Sequence, residues 1–133
     1  MKKFLLLILI INFLCCAVYA EDVIQTSPPQ NPTAPQSISF ENCTKMFTVN
    51  KEQLFYLTIG AITANKFTID EIQSNNGYII YTAARRKYLA TVSGIDKDNS
   101  ILKITPCSNI YYFPSGVISN IFKYIELNKN TQG

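Results

Sequence analysis

The sequence predicts an α+β domain: a helix, a four-stranded antiparallel meander and a closing helix, with both helices packed on one sheet face. Two helical stretches place apolar residues at spacings of three and four. Between them, residues 67–105 hold four short runs rich in β-branched and aromatic residues. The polar connections between those runs are too short for parallel crossovers, so neighbouring strands must be antiparallel.

Taken in order, the chain opens on Lys2 and Lys3, an apolar stretch over 4–14 and a mostly short-chained stretch over 15–20. This is the layout of a secretory signal peptide. Val18 and Ala20 suit cleavage before Glu21, which would discard Cys15 and Cys16. Two alternatives stay open. One is lipidation of Cys15 or Cys16, although the residues before them fit that processing poorly. The other is a retained anchor, because residues 4–20 sit at the lower limit for a membrane span. Residues 21–37 carry Pro28, Pro29, Pro32 and Pro35 among polar residues. Such a segment buries too little apolar surface to offset the entropy of ordering, so it reads as a disordered linker. The folded domain is expected over 38–127, with a frayed tail at 128–133.

Within the domain, residues 37–40 and 45–49 are short strand candidates. Asn50 can cap the first helix, with Gln53 completing a capping box and Val49 and Leu54 forming a hydrophobic staple. Leu54, Leu57, Ala61 and Ile62 share one helical face. Gly60 weakens the helix, and Asn65 is expected to end it in a left-handed conformation. Strands follow at 67–73, 78–84, 87–95 and 101–105. The first turn is Asn75-Asn76-Gly77, because Asn-Gly accepts positive φ at both central positions of a hairpin. Arg85 and Arg86 lead into the third strand, and residues 96–100 form a polar turn. The closing helix spans 115–127, with Val117, Ile118, Ile121, Phe122 and Ile125 on its apolar face.

An arrangement of a helix ending at Asn65, the stretch FTIDEIQSNNGYIIYTA, a meander and a closing amphipathic helix resembles the small helix–meander–helix domains of bacterial envelope lipoproteins. The repeats of the β-barrel assembly lipoprotein of the Bam complex are of this type. The resemblance covers residues 47–127 and is architectural, without a diagnostic motif. It implies an envelope location and a binding or scaffolding role.

Composition narrows the chemistry. Without residues 1–20, ten basic residues face nine acidic ones, a net charge of +1. Bulk charge therefore does not drive this chain to nucleic acid. There is no histidine, which removes histidine-based nucleophile arrangements and histidine-ligated zinc. Asp96, Asp98 and Ser100 begin like a calcium loop, but Ile101 and Cys107 occupy the positions that need Gly and Glu. A solvated hairpin turn explains them better. Asp70 and Glu71 are neighbours on a strand, so they point to opposite faces unless a bulge intervenes. No cofactor or metal site is read.

Two features remain. Cys43 and Cys107 are the cysteines left after processing, and in an oxidising compartment they are expected to form a disulfide. Closing a loop of about 65 residues would stabilise the fold by roughly 4 kcal/mol. Arg85, Arg86 and Lys87 form the one basic cluster, with Tyr88 beside them, and could contact an anionic ligand. The expected function is an exported, non-catalytic binding or scaffolding module, periplasmic or extracellular. Its partner would be an envelope protein or an anionic surface ligand, with a membrane involved only if the leader or a lipid is kept. The alternative is a small secreted enzyme or inhibitor.

Overall fold

The computed structural model describes residues 34–131. The leader, residues 21–33 of the linker and residues 132 and 133 lie outside them. The elements are β1 (Pro35–Ser37), a 3-10 turn (Phe40–Cys43), β2 (Thr44–Phe47), α1 (Lys51–Ala64), β3 (Thr68–Gln73), β4 (Tyr78–Ala83), β5 (Arg86–Gly94), β6 (Ser100–Pro106), β7 (Tyr112–Pro114) and α2 (Gly116–Asn128). The expected α+β class and the two helices are present. The four-stranded meander is embedded in a larger sheet, ordered β2-β6-β5-β4-β3 and antiparallel throughout. A separate two-stranded ribbon pairs β1 with β7.

All three added strands come from long-range pairing. Thr44 sits opposite Lys103 and Phe47 opposite Ser100, so β2 closes the β6 edge. Helix α1 then carries the chain to β3 at the other edge. Pro35 pairs with Pro114 and Ser37 with Tyr112. The last residues of the proline-rich stretch are therefore a strand, and the ordered region begins before residue 38. Both prolines lie in a short ribbon where edge positions need no ladder donor.

Helix α1 starts as its sequence directs. The Asn50 side chain accepts the Gln53 backbone N–H at 2.8 Å. The Gln53 amide does not turn back to the cap but donates to the Lys129 carbonyl at 3.0 Å, tying α1 to the end of α2. The C-terminal expectation needs correction. Asn65 has φ −81°, and the left-handed residue is Lys66, at φ 59°. The Lys66 N–H reaches Thr63 O and the Phe67 N–H reaches Ile62 O. That pair of bonds is a Schellman motif with Lys66 in the place glycine usually takes. Gly60 lies where α1 meets α2: a Cβ there would come within 3.4 Å of the Tyr124 hydroxyl.

The β3–β4 turn spans four residues, 74–77, because Gln73 pairs with Tyr78. Of these only Gly77 has positive φ, at 71°. It cannot be replaced freely, since a Cβ would lie 2.7 Å from Val92 O. The Asn-Gly pair therefore does not form a two-residue hairpin.

Strands β4, β5 and β6 alternate. Ile79, Tyr81, Ala83, Tyr88, Ala90, Val92, Leu102 and Ile104 are buried on the face that the helices cover. Helix α1 touches β3, β4, β5 and β6, and Phe47 meets Phe122 of α2 edge-on. A row of rings crosses this layer: Phe67 stacks on Tyr81 at 6.0 Å, Tyr81 on Tyr88 at 5.5 Å, and Phe113 meets Tyr88 edge-on at 5.3 Å. The Tyr81 hydroxyl donates to Val117 O at 3.2 Å. The Tyr88 hydroxyl is buried without a partner among the described residues.

Those two phenols should respond oppositely to loss of oxygen. Tyr81→Phe removes the hydroxyl's bond to the Val117 carbonyl, which keeps its helical partner, and should lower stability by about 1 kcal/mol. Tyr88→Phe removes an unpaired buried hydroxyl and should leave stability unchanged or raise it by up to about 1 kcal/mol. Urea midpoints at unchanged slope decide this, and a large loss for Tyr88→Phe would contradict the assignment.

Candidate functional site

The basic cluster sits on the β4–β5 hairpin. Ala83 pairs with Arg86, so Ala84 and Arg85 are the whole loop. Both are left-handed, at φ 49° and 64°. A two-residue loop with both residues left-handed matches the twist of its strands, and it normally uses Asn and Gly. Neither Ala nor Arg is suited to that region, so the tip carries backbone strain. Sequence reading missed this turn because it contains no glycine or asparagine.

The register then separates the four residues of the cluster. Arg86 lies opposite Ala83 on the helix-covered side, and its Nη1 donates to Tyr112 O of β7 at 2.7 Å. Lys87 lies opposite Thr82 on the other face. Tyr88 is fully buried. It packs on Tyr81, and burial pushes its phenol above the usual range while Arg86 opposes that shift. A surface ligand therefore does not reach Tyr88, and Lys87 faces away from the arginines. The contact set expected from sequence reduces to Arg85 and Arg86.

These two arginines line a cleft of about 800 Å³. Its walls are the hairpin tip, the β1–β7 ribbon and the first turn of α2. Phe67, Tyr112 and Phe113 supply its aromatic surface, and Asn120 adds an amide. The run Tyr111-Tyr112-Phe113-Pro114 divides as a strand must: Phe113 is buried in the core and Tyr112 is exposed at the cleft. Gly116 and Val117 bring the start of α2 to the wall, and Ser115 makes no side-chain cap to their amides. The lining thus offers guanidinium groups, a helix N-terminus and ring faces. Among the described residues it includes no carboxylate, thiol, or serine or threonine hydroxyl.

Cys43 and Cys107 are free thiols in the structure. Cys43 is buried, with Sγ 3.6 Å from Ser39 O, and burial pushes its thiol up, opposed by Lys103. Cys107 is exposed just past β6. No bond joins Cys43 to Cys107 in the structure: Cys43 ends the 3-10 turn, and Cys107 follows the last residue of β6.

The acidic residues are arranged differently from the simple strand expectation. A bulge lies between Ile69 and Glu71. It turns Asp70 and Glu71 to the same face: Thr82 donates to Asp70 at 2.6 Å, and Tyr78 donates to Glu71 at 2.8 Å. Neither acid lines the cleft. Asp96 folds its own turn by accepting from the backbone N–H groups of Asp98 and Asn99, both at 2.8 Å. The Asn99 amide is the main reason its carboxyl titrates low. Among the described residues, no group of three or more acids, cysteines or histidines is placed to hold a metal ion. None of the described helices is long and apolar enough to cross a membrane.

The strain at the hairpin tip gives a direct test. Arg85→Gly relieves one left-handed residue and should stabilise the fold by about 1 kcal/mol, read as a higher urea midpoint. A lower midpoint would mean that the Arg85 side chain contributes more to the fold than its backbone strain costs. No protein-family model and no curated protein matches this chain.

Proposed function

We propose that the chain is an exported, non-catalytic binding or scaffolding module of the cell envelope, which takes an anionic group of its partner into the cleft at Arg85 and Arg86. The observation that carries this reading is that Arg85 and Arg86 line one cleft together with the aromatic residues Phe67 and Tyr112. Arginine suits an anion because its planar donors pair with carboxylate or phosphate oxygens two at a time. The start of α2 adds a favourable partial charge. The volume lies within the usual range for small-ligand sites. The three-zone N-terminus supports export, and the helix–meander–helix resemblance supports an envelope role.

The lining also favours binding over catalysis. Its polar groups suit holding and orienting an anion, and among the described residues no nucleophile or acid–base pair stands beside them. Asp70 and Glu71 do share a face, but each is held by a neighbouring hydroxyl on the open sheet, outside the cleft.

Retention on a phosphate-bearing matrix tests the reading. The protein should bind at low salt and elute as salt rises, because exposed charge contacts are screened. Arg85→Ala/Arg86→Ala should weaken retention about tenfold or more, given the strength of charge-assisted hydrogen bonds. Lys97→Ala, on the remote β5–β6 turn, removes a charge without touching the cleft and should change retention little. Equal losses from both substitutions would reduce the effect to bulk charge and overturn the proposal.

A further inference from the structure

The sheet has a second face, which no element among the described residues covers. The burial alternation of β4 and β5 turns Ile80 and Leu89 onto it, and they are register partners at its centre. Around them the charges are graded across the strands. Asp70 and Glu71 stand at the β3 edge, held there by Thr82 and Tyr78 of the same face. Lys87 projects from β5 opposite Thr82, and Lys103 from β6 opposite Thr91. None of these four charges is in an ion pair among the described residues. Lys103 Nζ instead rests 5.0 Å from the centre of the exposed Phe40 ring.

A face negative at one edge, positive toward the other and apolar between them complements itself. We propose that this open face is an interface with a second copy of the chain, packed sheet to sheet about a two-fold axis that runs parallel to the strands between β4 and β5. That axis lays β4 over β5 of the second copy and β3 over its β6. Ile80 then meets Leu89 of the second copy, at equal height because the two are register partners within one chain. Lys103 pairs with Thr91, and Thr91 with Tyr78, whose hydroxyl holds Glu71. Tyr78 in turn pairs with Gln73, so Lys103 of the second copy arrives over Gln73, two residues along β3 from Glu71 and three from Asp70. Aligned sheets pack about 10 Å apart, a gap that a lysine and a glutamate span together. The two-fold makes the contact isologous, so each charge match occurs twice. The alternation of β4 and β5 places Arg86 and Ala83 on the opposite side of the sheet, so the interface leaves the arginine cleft free.

Sedimentation equilibrium of the protein across a dilution series tests this. At low salt the mass should approach two chains, and it should fall toward one on dilution and with added salt. Leu89→Lys should abolish the dimer. Lys103→Glu, an exposed change that spares the core, should weaken it about tenfold or more by placing like charges together. Adding Asp70→Lys and Glu71→Lys to Lys103→Glu should restore association. Arg85→Ala/Arg86→Ala should leave the mass unchanged, which separates this interface from the cleft. A single-chain mass at every concentration overturns the proposal, and so does a dimer indifferent to both Leu89→Lys and the charge swap. A single-chain mass that rises only when a different protein is added assigns the face to another partner and equally overturns it.

Discussion

The row of rings Phe67–Tyr81–Tyr88–Phe113 is the constraint on which the rest of the molecule depends. Its members come from four separate places: the exit of α1, β4, β5 and β7. Successive centroids lie 5.3 to 6.0 Å apart, and each such contact adds roughly 0.5–1.5 kcal/mol beyond burial. More important is what the row ties together. Tyr81 reaches through its hydroxyl to Val117 in the first turn of α2. Phe113 brings the β1–β7 ribbon against the sheet. The terminal rings, Phe67 and Phe113, are also cleft walls. The core and the candidate site thus share side chains.

This arrangement explains why the hairpin tip is strained. The β4–β5 pair must stay in register from Tyr78 to Ala83 for Tyr81 to oppose Tyr88. Only two residues then remain for the turn, and they must both be left-handed to match strand twist. Glycine there would relieve the backbone but remove a guanidinium from the cleft. An arginine in a left-handed conformation is a local conflict of the kind that functional positions tolerate. The adjacent Arg86 does both jobs: it lines the cleft and anchors β7 by its bond to Tyr112 O.

Local patterns in the sequence were readable, and distant pairings were not. Asn50 capped its helix, the apolar faces of both helices were buried, and the four central strands followed from alternation and polar turns. Strands β1, β2 and β7 are three or four residues long, too short for a period to show, and their partners lie more than fifty residues away. Lys66 took the left-handed position expected of Asn65 because the Schellman bonds, not residue preference, set where the helix ends. The bulge at Asp70 left no mark in composition, so two acids expected on opposite faces share one. Of the basic cluster, the arginines were placed in a cleft, but Tyr88 lay in the core. A tyrosine at period two from Ala90 and Val92 was already in the buried phase of β5, and that alternation was the available signal.

The row of rings can be tested through the ionisation of its phenols. Burial pushes Tyr81 well above the usual tyrosine range and Tyr88 above it as well. Their contribution to stability is therefore full below the ordinary tyrosine pKa and is lost as pH rises toward the raised folded values. An alkaline titration followed by tyrosinate absorbance, with circular dichroism recorded in parallel, reads this directly. The account predicts that two phenols ionise only as the sheet signal collapses. Ionisation of every tyrosine in the ordinary range, with the sheet signal intact, would contradict a buried Tyr81–Tyr88 pair at the centre of the fold.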